Sequence, residues 1–187
     1  MKTKLVNIDI RKNYVDTLLK ARGIENPEDY YNPGREFLQP PTDLENVERG
    51  ANVLMGALAL EERILIVVDS DNDGFTSATI MYNYLKDLAP ELEIDYLLHE
   101  GKQHGLQDHI KNLMDEGAKY GLIILPDSSS NDYEYHESLK EINTSVLVLD
   151  HHITDIQLSD NAIVVNNQLS PKYKNKELTG AGVVYQF

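Results

Sequence analysis

Residues 64–68, 122–125, 145–149 and 162–165 are near-continuous apolar runs rich in Ile, Val and Leu. Between them, at 76–88, 106–117 and 133–141, apolar positions recur every third or fourth residue. The first pattern predicts strands buried on both faces; the second predicts amphipathic helices. A further run at 93–98 is strand-like. Strands alternating with helices predict an α/β fold, a mainly parallel doubly wound sheet flanked by helices. Thr42-Asp43-Leu44-Glu45 has capping-box spacing and opens a predicted helix over 42–60, with Leu44, Val47, Ala51, Leu54 and Leu58 at helical intervals. Residues 11–22 predict a short amphipathic helix with Tyr14, Val15, Leu18 and Leu19 on one side. Turn signals follow at Asn26-Pro27, Asn32-Pro33-Gly34 and Pro40-Pro41. Two units are expected: a helical, turn-rich extension over 1–41 and an α/β domain over 42–187.

Composition narrows the chemistry. The chain has 187 residues, enough for one domain with a core, and no cysteine. Disulfides and thiolate metal sites are excluded, so any metal must be held by carboxylate, imidazole or water. No apolar stretch approaches a membrane span, and Met1-Lys2-Thr3-Lys4-Leu5 lacks the apolar core of a signal peptide. A cytoplasmic protein with no membrane partner is expected. The formal net charge of −14 argues against broad non-specific nucleic-acid binding. A nuclease stays open, because carboxylates gathered around divalent cations add to that total.

Three apolar runs lead into aspartate: Val68 into Asp69, Pro126 into Asp127, Leu149 into Asp150. In a doubly wound sheet, ligands bind beyond the C-terminal ends of the strands. One aspartate there would simply cap the next helix. Three of them, one followed by Asp71 and Asp73 and another by His151 and His152, point to a shared site. Asp69-Ser70-Asp71-Asn72-Asp73-Gly74 also opens like an EF-hand loop, but the twelfth position is Ile80 rather than Glu and a strand precedes it. In a tight βα turn the same alternation converges acids on a cation pair. Gly74 would permit the turn, Thr76 or Ser77 would cap the helix, and the helix N-terminus would favour an anion. Carboxylate and imidazole donors suit Mn²⁺ or Mg²⁺. Two ions would bind a phosphate and activate a water, and Asp127, alone on its segment, is the candidate bridge.

These motifs resemble the DHH phosphoesterase superfamily, specifically the RecJ-like single-strand exonucleases. The first family motif is similar to 69–77, the second to Asp127 after Ile123-Ile124-Leu125-Pro126, the third to Asp150-His151-His152. His104-Gly105-Leu106 resembles the family's Gly-Tyr-Gly-Leu segment. Asn166-Asn167 and Leu178-Thr179-Gly180-Ala181-Gly182-Val183 resemble its asparagine turn and glycine-rich helix start. The likeness runs in the family's order over residues 36–187. It implies that Asp71, Asp73, Asp127 and His151 are metal ligands, with Asp69 a ligand or an immediate neighbour. His152 would contact the scissile phosphate and Asp150 would orient an imidazole from behind. Ser77, His104 and Lys172 are further candidates for substrate contact.

Three departures shape the expectation. Some relatives carry a histidine four residues before the equivalent of Asp71, where this chain has Val67, so Asp69 is expected to compensate. After Asp127 the family's glycine is replaced by Ser128-Ser129-Ser130-Asn131, expected to cap the next helix rather than bind phosphate. The family also supplies another metal-binding aspartate beyond the glycine-rich helix, then a further domain. A stop at Phe187, inside that helix, therefore suggests a fragment rather than a natural minimal form, expected alone to have an incomplete metal site and poor substrate affinity. Lys172-Tyr173-Lys174-Asn175-Lys176 could track a nucleic-acid backbone, though a solvated loop is the simpler reading. His99, Lys102 and His104 follow a predicted strand end near the site; His109 and His136 receive no role.

The resemblance implies a metal-dependent phosphodiesterase trimming single-stranded DNA from the 5′ end, with DNA repair or replication proteins as partners. Two alternatives stay open: hydrolysis of oligoribonucleotides or cyclic dinucleotides, and a non-catalytic scaffold in a replication or repair complex.

Overall fold

The computed structural model describes residues 14–99, 101, 104–154 and 158–187. The start of the helix expected at 11–22 and the candidate Lys102 lie outside them. The chain divides into two compact units, with the boundary between Gln39 and Pro40. The first holds helices α1 (Tyr14–Ala21) and α2 (Pro27–Tyr31). Asn26 caps α2, and Pro27 occupies its first turn, where a missing N–H costs nothing.

The second unit is a five-stranded, all-parallel sheet in the order β2-β1-β3-β4-β5. Its strands are β1 (Ile64–Val68), β2 (Ile94–Leu98), β3 (Leu122–Pro126), β4 (Ser145–Asp150) and β5 (Ala162–Asn166). Its helices are α3 (Val47–Ala59), α4 (Asn72–Leu88), α5 (Ile110–Glu116), α6 (Tyr133–Lys140) and α7 (Gly180–Gln186). Every residue of β1 and β3 is buried, as continuous apolar runs require. Alternate residues feed two cores. Ile64, Ile66, Val68, Leu122, Ile124, Leu147 and Leu149 pack with residues of α3, α4 and α7. Leu65, Val67, Ile123, Leu125, Val146 and Val148 pack with Leu113 of α5 and Leu139 of α6. Val67 therefore points into the second core and away from any ligand role.

Connectivity positions the site. The chain leaves β1 toward β2, then crosses back to β3 on the other side of β1. This reversal makes the β1–β3 boundary the switch point where a crevice opens at the carboxyl edge. Asp69 leaves β1 and Asp127 leaves β3 at that boundary.

Two helix starts differ from expectation. α3 begins at Val47 with Asn46 as N-cap at φ 64°, and residues Pro41–Asp43 form a 3₁₀ turn. The capping box is given up because Leu44 is buried in the core and the Glu45 N–H donates to Ser170 Oγ at 2.7 Å. α4 begins at Asn72 with Asp71 as its cap, four residues before Thr76. The first-motif acids thus sit in the opening turn of a helix. α5 is shorter than expected, since turns occupy the residues around Leu106.

Candidate metal and phosphate site

Asp69 is 1% exposed, and its carboxylate accepts from His104 Nδ1 at 2.7 and 2.9 Å. Asp71 Oδ1 accepts the N–H groups of Asp73 and Gly74, both at 2.9 Å, which directs its carboxylate by capping α4. Gly74 is needed at this turn: a Cβ there would lie 2.5 Å from Asp69 Cβ. Asp73 accepts from the N–H groups of Gly180 (2.7 Å) and Ala181 (3.0 Å), tying the first motif to the start of α7.

Asp127 is 1% exposed and adopts φ 70°, a left-handed conformation uncommon outside glycine. Its N–H donates to Leu149 O at 2.8 Å, which locks the turn against β4. A Cβ on Gly180 would fall 2.1 Å from Asp127 Oδ1, so only glycine lets α7 approach this closely. Asp127 Oδ1 is buried without a hydrogen-bond partner, and His151 Nε2 lies 3.2 Å from it in poor alignment. Burial first, then the Asp73 and Asp71 charges, push the Asp127 carboxyl up to about 8. The same His151 Nε2 is 3.7 Å from Asp73 Oδ2.

Donor atoms of Asp69, Asp71 and Asp127 lie within 4.8 Å of one another, as do those of Asp127, His151 and His152. Asp127 belongs to both groups. Oxygen and imidazole donors, an orphaned buried carboxylate oxygen and a strongly raised acid are the chemistry of a site for hard divalent cations. These residues fit one ion or two.

Asp150 is 1% exposed and bonds the third-motif histidines from behind. Its oxygens accept from His152 Nδ1 (2.7 Å), the His151 N–H (2.7 Å) and the Ser130 N–H (3.1 Å). Burial alone would raise its carboxyl, but the bonds from His152 and Ser130 outweigh it and hold the group at about 2. His152 is raised to about 9, first by its bond to Asp150. Two aspartate–imidazole pairs, His104–Asp69 and His152–Asp150, therefore flank a cavity of about 730 Å³ whose wall includes Ser128, Ser129 and Ser130.

Two of the structural partners here had no role assigned from the sequence. Asn166, fully buried, donates to Ser130 Oγ at 2.9 Å and to His152 O at 3.0 Å, clamping the third motif to the serine loop. Asp132 accepts from the Leu106 N–H at 2.9 Å and Ser129 Oγ at 2.8 Å, joining the His104 loop to the same serines. Asn166 stood in a recognised motif without a role. Asp132 reads as an ordinary helix-start acid.

Three expectations are corrected. Ser77 is fully buried in α4 with Oγ unpartnered, so it neither caps the helix nor reaches a substrate. The Ser128–Asn131 stretch does not cap α6, whose N-cap is Asp132 with no side-chain cap bond; the serines line the cavity. In the basic run, Tyr173 is buried and unavailable for stacking. Lys176 Nζ donates to Ser170 O at 2.7 Å, so it holds its own loop. Lys172 lines a different groove, beside residues 42–49. His99 and His109 form a 2.8 Å ring–ring hydrogen bond, and burial lowers both.

Comparisons with known proteins agree with this fold. The DHH family, N-terminal domain, matches residues 63–187. YorK of Bacillus subtilis strain 168, provisionally named a SPbeta prophage-derived single-strand DNA-specific exonuclease, is 41% identical over 171 residues, covering 91% of this chain and 29% of that protein. The single-stranded-DNA-specific exonuclease RecJ of Haemophilus influenzae is 29% identical over 175 residues, covering 91% of this chain and 30% of its own. RecJ in complex with Mn²⁺ from Thermus thermophilus shares the fold, with a TM-score of 0.70 at 24% identity over 90% of this chain and 23% of that one. A second structure, exonuclease RecJ bound to manganese, gives a TM-score of 0.67 at 25% identity over 76% of this chain and 36% of that one. The chain thus spans 29% and 30% of the length of the two relatives it matches here.

Proposed function

The chain belongs to the DHH family, and from that premise we propose that it is the phosphoesterase core of a metal-dependent nuclease acting on single-stranded DNA. The observation that carries this reading is the pair of donor groups that share Asp127. Asp69, Asp71 and Asp127 would hold one cation, and Asp127 with His151, backed by Asp73, a second. Bound there, Mn²⁺ or Mg²⁺ would neutralise the scissile phosphate and lower the pKa of the attacking water.

The protein's own groups do the rest. Asp150, bonded to Nδ1, favours the protonated form of His152 and leaves Nε2 free, where it would donate to a non-bridging phosphate oxygen. Asn166 and the Ser130 N–H brace that pair, so the imidazolium is oriented before substrate arrives. His104, held on Asp69, would contact the strand from the facing wall. With the RecJ-like relatives as guide, the strand would be trimmed from its 5′ end.

The test compares single strands labelled at the 5′ or the 3′ end, duplexes, and dinucleotides, in Mn²⁺. Asp127→Ala and His151→Ala should each abolish hydrolysis and weaken Mn²⁺ binding read by electron paramagnetic resonance. Full turnover in either variant removes the assignment. Preference for dinucleotides would move the substrate to the oligoribonucleotide or cyclic-dinucleotide alternative, and Mn²⁺ binding without any hydrolysis by the full-length protein would move it to the scaffold.

A further inference from the structure

A single strand held by one phosphate at an acid cluster must place its neighbouring bases somewhere. Among the described residues, no Lys or Arg lines the cavity between the two aspartate–imidazole pairs.

A second cavity, of about 330 Å³, lies between α4 and the edge strand β2. Ile66 and Val68 floor it, Phe75, Thr79 and Tyr82 of α4 form one wall, and Tyr96 and Leu98 of β2 form the other. Among the described residues, no charged side chain lines it. Phe75 is 50% exposed and Tyr96 64%, which leaves two aromatic faces open to solvent in one groove.

Both sides of the groove are continuous along the chain with the acid cluster. On α4, Phe75 lies one helical turn after Asp71, and Thr79 and Tyr82 continue that stripe. In the sheet, Ile66 pairs with Tyr96 and Val68 with Leu98, and the residue after Val68 is Asp69. Asp69 and Asp71 are the cation-facing acids of the first donor group.

We propose that this groove is a base-stacking subsite, in which Phe75 and Tyr96 hold the base that flanks the phosphate at Asp69, Asp71 and Asp127. The inference rests on the single-strand nuclease reading and adds where that strand is gripped. Uncharged aromatic walls bind the flat face every base offers, so the grip tolerates any sequence. A duplex keeps those faces stacked inside itself, and the subsite therefore selects for single strands.

The experiment is fluorescence anisotropy of the 187-residue protein in Mn²⁺. The probes are a labelled, hydrolysis-resistant phosphorothioate oligothymidylate and an abasic strand of the same length. Phe75→Ala and Tyr96→Ala should each weaken oligothymidylate binding about tenfold while leaving abasic binding and Mn²⁺ affinity unchanged. Tyr84→Ala, on α4 but outside the groove and 55% exposed, should change neither. Thermal melts check that the variants are folded, as expected for exposed side chains. If both groove variants bind oligothymidylate like wild type, or lose abasic binding equally, the subsite is overturned and the nuclease reading stands. A wild-type protein that binds neither strand overturns both.

Discussion

At Asp127 a carboxylate is buried, held at φ 70° and surrounded by other acids, with one oxygen unpartnered. Such a residue is costly to the metal-free fold. Its carboxyl is raised from 3.8 to about 8, so the folded state holds the proton more tightly than the unfolded state. Its contribution to stability therefore falls as pH rises across that window. Asp127→Asn removes the charge, keeps the shape and suits the left-handed backbone. In EDTA at pH 8 its melting temperature should exceed that of wild type by about 2–4 °C, equivalent to about 1 kcal/mol. Added Mn²⁺ should stabilise wild type and leave the variant unmoved, a contrast that differential scanning calorimetry would resolve. A variant less stable than wild type in EDTA would show that Asp127 serves the fold rather than a cation.

At the scale of elements, two helix starts meet across the site. α4 presents Asp71 and Asp73, and the α7 N–H groups of Gly180 and Ala181 bind Asp73. α7 packs along α4 and reaches β3. Gly180→Ala should force α7 away from Asp127, because its Cβ would meet the carboxylate at 2.1 Å. Mn²⁺ affinity by isothermal calorimetry should drop at least about tenfold, a loss of about 1.4 kcal/mol. An unchanged affinity would mean that α7 does not set the geometry of the acids. This contact was half legible in the sequence. A glycine-rich helix start was visible, but not which glycine touches which acid, because that depends on two helices far apart along the chain.

For the whole molecule, the four most strongly shifted groups dominate the metal-free pH profile. His136 is buried and lowered from 6.5 to about 4, so stability is lost as pH falls through that window and the unfolded chain takes up the proton. Asp150, lowered from 3.8 to about 2, adds a further loss below that range. On the other side, Asp127 removes stability as pH rises to about 8, and His152, raised from 6.5 to about 9, loses its contribution as pH passes 9. Stability in EDTA should peak at about pH 5, where the His136 gain and the Asp127 loss balance, and fall from pH 6 to 9. Saturating Mn²⁺ should hold the alkaline side up, and urea titrations across pH would measure both curves. A metal-free profile that stays flat from pH 6 to 9 would contradict the described electrostatics.

The apolar runs by themselves determined the α/β class and the parallel strands, since a strand covered on both faces has little room for polar residues. The acids and histidines at three strand ends pointed to a candidate site at the carboxyl edge. Only the tertiary structure decided the rest. It put β1 beside β3, so that Asp69 and Asp127 meet at the switch point. It withdrew Ser77 into the core, turned Ser128–Ser130 from an expected cap into a cavity wall, and used Tyr173 and Lys176 to hold a loop. Local patterns report which face of an element is apolar. They do not report which distant backbone amide or carboxylate will arrive opposite a polar side chain, and here that arrival sets what each polar residue does.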